Sequence, residues 1–127
     1  MENKNVLIVE DDVFLSDMYQ TKFKSEGFDV TMAENGEACL KSLSEGLIPS
    51  IILLDIVMPK MDGIETLTNI RKEEKYKDIP VLMLTNLGQK EEIDKAIQIG
   101  ATGYLIKANF TPSEVIKKVK EVLESNN

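Results

Sequence analysis

The chain has no histidine, no tryptophan and a single cysteine in 127 residues. Without histidine there is no Ser-His-Asp or Cys-His nucleophilic machinery and no imidazole metal site. With Cys39 alone, an intrachain disulfide and a thiolate zinc cage are excluded, which suits a reducing compartment. Cys39 lies beside Leu40 in a helix-like stretch and reads as a small core residue. Basic charge is also scarce. Fifteen Lys and Arg face 22 Asp and Glu, a net charge of −7. That disfavours generic attraction to nucleic acid or an anionic membrane and favours a divalent cation or a basic partner. No apolar run approaches the roughly 18 residues of a membrane helix. The polar start, Met1-Glu2-Asn3-Lys4-Asn5, has no signal-type apolar stretch behind it. A cytoplasmic protein is expected. Neither G-x-x-x-x-G-K-[ST] nor G-x-G-x-x-G occurs, so a built-in cradle for ATP or a dinucleotide is not expected.

What is present is a globular composition, 43% hydrophobic and 29% charged, read as one domain over residues 1–127. Short aliphatic runs recur between helical patterns. Val6-Leu7-Ile8-Val9 precedes a helix carrying Leu15, Met18, Tyr19 and Phe23, which stops at Gly27. Asp29 to Ala33 is a second strand, and a helix with Cys39, Leu40 and Leu43 follows. Ile51-Ile52-Leu53-Leu54 is unbroken, as in a strand buried on both faces. After it, Asp62-Gly63 starts a helix with Ile64, Leu67 and Ile70 inward. Glu73 to Asp78 is a charge run, expected to be solvated. Pro80 to Leu84 and Gly103 to Ile106 are the last strands, separated by a helix face of Ile93, Ala96 and Ile97. Thr111-Pro112-Ser113-Glu114 is a capping box opening a final helix with Val115, Ile116, Val119, Val122 and Leu123. Five β-α repeats predict an α/β fold with a parallel sheet and helices on both faces.

Four of the five strands run into polar residues: Glu10-Asp11-Asp12, Asp55, Thr85 and Lys107. In a parallel sheet these ends share one edge, where ligands bind. Singly, each has a plain explanation; Asp12 could merely cap a helix. Together they are chemically complementary. Two carboxylates 4 Å apart repel by about 4 kcal/mol at an effective dielectric of 20. A hard cation relieves this, and Mg²⁺ fits because it takes one or two carboxylates with water and a phosphate. The Ca²⁺ hand loop fails, because Val57 stands where a second ligand is needed. Asp55 could serve as a nucleophile toward phosphorus, Lys107 could neutralise the transferring group and Thr85 could hydrogen-bond it. The phosphoryl group should arrive on another protein or a small donor.

These residues resemble the receiver domain of two-component response regulators over essentially the whole chain. The matching pieces are Val9-Glu10-Asp11-Asp12, Leu54-Asp55 through Met58-Pro59 to Met61-Asp62-Gly63, Leu84-Thr85, and Gly103 to Lys107. The resemblance implies a flavodoxin-like (βα)5 fold, doubly wound, with strand order 2-1-3-4-5. It implies that Asp55 is the phosphoacceptor. Asp12 and Asp55 would bind Mg²⁺ directly with the Val57 carbonyl, and Asp11 largely through water. Lys107 would pair with the phosphoryl group, and the backbone after Thr85, at Asn86, would contact it. Thr85 and Tyr104 would form the switch. The output face would be the fourth helix, fifth strand and fifth helix, about Glu91 to Glu124. The implied partners are a sensor histidine kinase or a histidine phosphotransfer protein, and an unidentified downstream protein or output domain. Direct nucleic-acid or membrane binding by this domain is not expected.

Three departures stand out. Ala108 follows Lys107 where the family commonly has a cis proline. A cis bond without proline costs about 2.5–4 kcal/mol, so the 107–108 bond is expected to be trans or a strained cis. Asn86 replaces a small residue, and its bulk would crowd the Thr85–Tyr104 coupling. Val57 and Leu87 are both apolar, each two residues beyond Asp55 or Thr85, near the expected path of a hydrolytic water; a long-lived phosphoryl group follows. Two other readings remain at this stage. An aspartyl-nucleophile phosphohydrolase would want a second acid at Val57. A phosphorylation-independent binding module would be expected to lack pocket residues, and none is missing.

Overall fold

Alternation along the strands builds two cores at once. In the computed structural model, which describes residues 4–86 and 90–125, Leu7, Val9, Ile52, Leu54, Val81 and Met83 face one side of the sheet. Val6, Ile8, Ile51, Leu53, Leu82 and Leu84 face the other. All twelve are fully buried. Burial of one such side chain contributes about 1.5–3 kcal/mol, so both faces of these strands must be covered.

The cover is five helices. The order is β1 (Asn5–Val9), α1 (Val13–Ser25), β2 (Asp29–Ala33), α2 (Gly36–Ser44), β3 (Ile51–Asp55), α3 (Gly63–Lys72), β4 (Val81–Thr85), α4 (Lys90–Ile99), β5 (Gly103–Ile106) and α5 (Pro112–Ser125). The sheet is parallel throughout and ordered β2-β1-β3-β4-β5. Residues of α2, α3 and α4 (Cys39, Leu43, Leu67, Ile70, Ala96) fill the first core. Tyr19 and Phe23 of α1 and Val115, Ile116, Val119 and Val122 of α5 fill the second. The doubly wound fold expected from the sequence is therefore the fold observed. Cys39 lies in the core as expected, and burial pushes its thiol up to about 12.

Helix starts follow local chemistry. Asp12, Asn35 and Asp62 accept from the backbone N–H of Leu15, Ala38 and Glu65 at 3.1, 2.8 and 2.8 Å. At α5 the capping box closes in both directions. Thr111 N donates to Glu114 Oε1 at 2.9 Å, and Glu114 N to Thr111 Oγ1 at 3.2 Å.

The structure refines three side-chain placements. Met18 and Ile97, counted with the apolar residues at helical spacing, are 50% and 45% exposed. Each sits one position from a buried neighbour, Tyr19 and Ala96, so the apolar stripe is narrower than the sequence spacing suggests. The charge run is not wholly solvated: a 3-10 turn at Glu74–Tyr76 buries the Tyr76 ring. Its hydroxyl donates to the Leu43 carbonyl at 2.8 Å. Nearby, Arg71 at the end of α3 donates to the carbonyls of Gly100, Tyr76 and Ile79 at 3.1, 3.1 and 2.9 Å. It ties α4 and the entry to β4 onto α3. Gly100 takes φ of 126°, which a side chain would strain. No cis peptide bond occurs among the described residues, so Lys107–Ala108 is trans. The chain there continues into a 3-10 turn, Lys107–Asn109.

Candidate functional site

Because the strands are parallel and in register, their C-terminal ends meet at one edge. Asp55 is the last residue of β3 and Thr85 the last of β4, while Lys107 follows β5 directly. Glu10 follows β1 and is held there by a backbone bond to the Ala33 carbonyl of β2, 3.0 Å. Asp55 is 3% exposed and Glu10 2%, both far drier than a carboxylate without a partner would tolerate.

The partner is Lys107. Its Nζ lies 2.8 Å from Asp55 Oδ2 and 2.7 Å from Glu10 Oε1. The Asp55 contact is a hydrogen bond. The Glu10 contact is an ion pair without hydrogen-bond alignment, since buried Oε1 has no hydrogen-bond partner. The other oxygen, Oε2, accepts from Asp12 N at 3.2 Å. Burial raises the Glu10 pKa; the Lys107 ammonium opposes this, and the Asp55 charge adds to it. Burial alone would lower the Lys107 pKa, but the two carboxylates reverse that and raise it.

The loop after β3 is tight. Gly63 N donates to the Ile56 carbonyl at 2.8 Å and Met61 N to the Pro59 carbonyl at 2.8 Å. Lys60 takes φ of 67°. This leaves Val57 52% exposed at the rim, while Met58 is buried. Thr85 is fully buried, and its hydroxyl donates to the Asn86 carbonyl at 3.1 Å. Tyr104 is 46% exposed, on the β5 position paired with Met83. Leu87 lies outside the described residues.

One expectation about the acids does not fit. Asp12 was expected to be a direct metal ligand with Asp55. It is instead the exposed cap of α1, its Oδ1 committed to Leu15 N. The carboxylates that converge are Glu10, Asp11 and Asp55, with one oxygen from each lying within 4.8 Å of the others. The acid pair is thus one residue earlier than the sequence reading placed it. A signal for this existed: Asp12 stands three residues before Leu15, the spacing of a capping acceptor. Around Mg²⁺, with oxygens at 2.0–2.1 Å, opposed ligands lie roughly 4 Å apart. An all-oxygen set of this spread, including one buried oxygen that lacks a hydrogen bond, fits a small hard cation.

Known proteins match both the sequence and the fold. The family profile for the response regulator receiver domain matches residues 6–120. The transcriptional regulatory protein CpxR homolog of Haemophilus influenzae is 41% identical over 120 residues, covering 93% of this chain and 49% of that protein. The alkaline phosphatase synthesis transcriptional regulatory protein PhoP of Bacillus subtilis is 37% identical over 123 residues, 95% of this chain and 49% of that one. The chain thus spans about half the length of these relatives. Among solved structures, the chemotaxis response regulator CheY4 of Vibrio cholerae superposes with a TM-score of 0.86 at 30% identity, covering 95% of this chain and 99% of that one. A CheY-like receiver protein from Methanospirillum hungatei gives 0.89 at 27% identity, covering 98% and 97%. With Asp55, Thr85 and Lys107 gathered at one sheet edge and the match running through all five strands, the chain belongs to the response regulator receiver domain family.

Proposed function

We propose that this receiver is a phosphorylation-activated switch whose phosphoacceptor is Asp55. The observation that carries the reading is the 2.8 Å bond between Lys107 Nζ and Asp55 Oδ2, made across 52 positions of sequence. The reading is supported by a partly buried ammonium beside Asp55, at the point where negative charge would gather during phosphoryl transfer. A carboxylate oxygen of Asp55 attacks phosphorus, the bond to a donor histidine nitrogen breaks, and the donor leaves with that electron pair. Lys107 balances charge on the phosphoryl oxygens. The Thr85 hydroxyl and the backbone at Val57 and Asn86 supply donors. Asp11, Asp55 and the Val57 carbonyl, with Glu10 close by, would hold Mg²⁺, and the ion would supply charge neutralisation at the transferring group.

The phosphoryl donor is a sensor histidine kinase or a histidine phosphotransfer protein. The output runs through α4, β5 and α5 to a downstream protein or domain, with Thr85 and Tyr104 biasing a two-state equilibrium. The relatives named above are transcriptional regulators of about twice this length. DNA contact would belong to an output domain rather than to this acidic one, of net charge −7. Among the described residues no helix is long and apolar enough to cross a membrane, and the cytoplasm is the proposed location. The domain is a switch rather than an enzyme: Val57 stands where an aspartyl phosphohydrolase would carry its second acid. The test is incubation with acetyl phosphate and Mg²⁺. Wild type should gain the mass of one phosphoryl group and Asp55→Ala none. Multiple turnover of the donor far beyond one equivalent would favour the hydrolase.

A further inference from the structure

Arg71 lies at the sheet edge opposite the acid cluster, and its guanidinium reaches three separate segments. Nε donates to the Gly100 carbonyl at 3.1 Å, Nη1 to Tyr76 at 3.1 Å and Nη2 to Ile79 at 2.9 Å. Gly100 closes α4 tightly against it, since a Cβ there would lie 3.1 Å from Nε. The same end of α4 has further fastenings. Gly100 N and Ala101 N donate to the Ala96 carbonyl at 3.0 and 2.9 Å, and Thr102 N donates to the Val81 carbonyl at 2.8 Å. Val81 N returns a bond to Thr102 Oγ1 at 3.0 Å. The first turns of α4 are held differently. Ala96 is the one buried residue of the helix, and Ile93 and Ile99 only lean on the core. Lys90, Glu91 and Glu92 are exposed. The ion pair there, Lys90 Nζ to Asp94 Oδ2 at 3.3 Å, stays within the helix. The other two helices on this face are held at both ends. α2 has Gly36 pressed on Thr66 and the Leu43 carbonyl on the Tyr76 hydroxyl. α3 has Gly63 pressed on Asp55 and Arg71 itself.

We infer that Arg71 is the pivot pin of α4: it fastens the C-terminal end of that helix to α3 and the entry of β4, so that α4 tilts about Gly100 rather than shifting as a whole. This deepens the reading above, in which the output runs through α4, and its use in signalling rests on that reading. Ten helical residues form a stiff rod of about 15 Å. A rod with one end hydrogen-bonded and the other lightly buried moves most cheaply by rotation about the held end. The lightly held end begins at Lys90, on the edge where Thr85 ends β4. Lysine cannot replace the pin in full, because one ammonium cannot span three carbonyls as the planar guanidinium does.

The experiment is amide hydrogen exchange on the full chain, corrected for intrinsic rates, first with no phosphodonor. In wild type the amides of residues 100–102 should exchange about tenfold or more slowly than those of residues 94–96, a gradient set by local opening. Arg71→Met should abolish that gradient, and Arg71→Lys should fall between. Loss of global stability alone would lower protection equally in α3 and α4, so a uniform loss overturns the pin. A wild type without the gradient overturns it too. Should Arg71→Met not fold, the wild-type gradient and Arg71→Lys decide. Beryllium trifluoride with Mg²⁺ is then added as a phosphoryl mimic. Exchange in wild type should change over residues 90–96 and stay constant over 100–102, and in Arg71→Met the change should reach Thr102. An equal change along all of α4 in wild type overturns the pivot. A wild type that responds nowhere overturns the phosphorylation switch instead, while the gradient measured without the mimic still decides the pin.

Discussion

Gly63 packs against Asp55 with no room for a side chain: a Cβ there would collide with the Asp55 carbonyl oxygen and crowd Ile56 Cα at 2.8 Å. The contact is with backbone, which cannot swing aside. The first residue of α3 thereby presses on the end of β3 and sets where the Asp55 carboxylate stands. Gly63→Ala should destabilise the fold by about 2 kcal/mol, within the range for overpacking. It should also slow phosphorylation of Asp55. Urea unfolding and the rate of phosphate uptake check the two parts separately. A variant as stable and as fast as wild type would show that the loop yields freely.

Val57 is half exposed at the mouth of the pocket, two residues from Asp55. Its isopropyl group neither orients a water nor accepts a proton. Replacing it with asparagine should shorten the lifetime of the phosphorylated state several-fold by giving the attacking water a hydrogen-bond partner. The decay of phosphorylated protein after donor removal measures this. An unchanged or longer half-life would count against Val57 as a barrier to hydrolysis.

The strands were legible because each is an unbroken or alternating aliphatic run, and burial on both faces leaves little else such runs can do. The site edge was legible for the same reason: each run stops at a polar residue. What the sequence signalled only through the capping distance from Asp12 to Leu15 was which two of three successive acids face the pocket. Glu10, Asp11 and Asp12 are chemically alike on paper. Only the hand-over from strand to helix assigns Glu10 inward and Asp12 to the α1 cap. The exposure of Met18 and Ile97 was not legible because a 3.6-residue period does not reveal how wide the buried stripe is. Tyr76 and Arg71 were missed because their partners are backbone carbonyls distant in sequence, such as Leu43 and Gly100, and no local pattern announces those.

The capping box of α5 should be visible in the pH dependence of stability. The backbone N–H of Thr111, and then its side chain, hold the Glu114 carboxyl below its usual value of 4.5. A lowered folded-state pKa means that stability is contributed above the unfolded value and is lost as pH falls through the folded one. The stability difference between wild type and Glu114→Gln should therefore be constant near neutrality. It should shrink as pH drops below about 4.5. Chemical denaturation at a series of pH values gives the curve. A difference that grows in acid would contradict the assignment of Glu114 as an ionised cap.

The central claim is that Asp55, and no other acid of the pocket, carries the phosphoryl group. Reductive trapping tests it most directly. Protein treated with acetyl phosphate and Mg²⁺ is reduced with borohydride, which converts an aspartyl phosphate to homoserine, and the peptides are sequenced by mass spectrometry. The predicted result is homoserine at Asp55 alone. Reduction at Glu10, Asp11 or Asp12, or no reduced residue in protein that has consumed the donor, would contradict it.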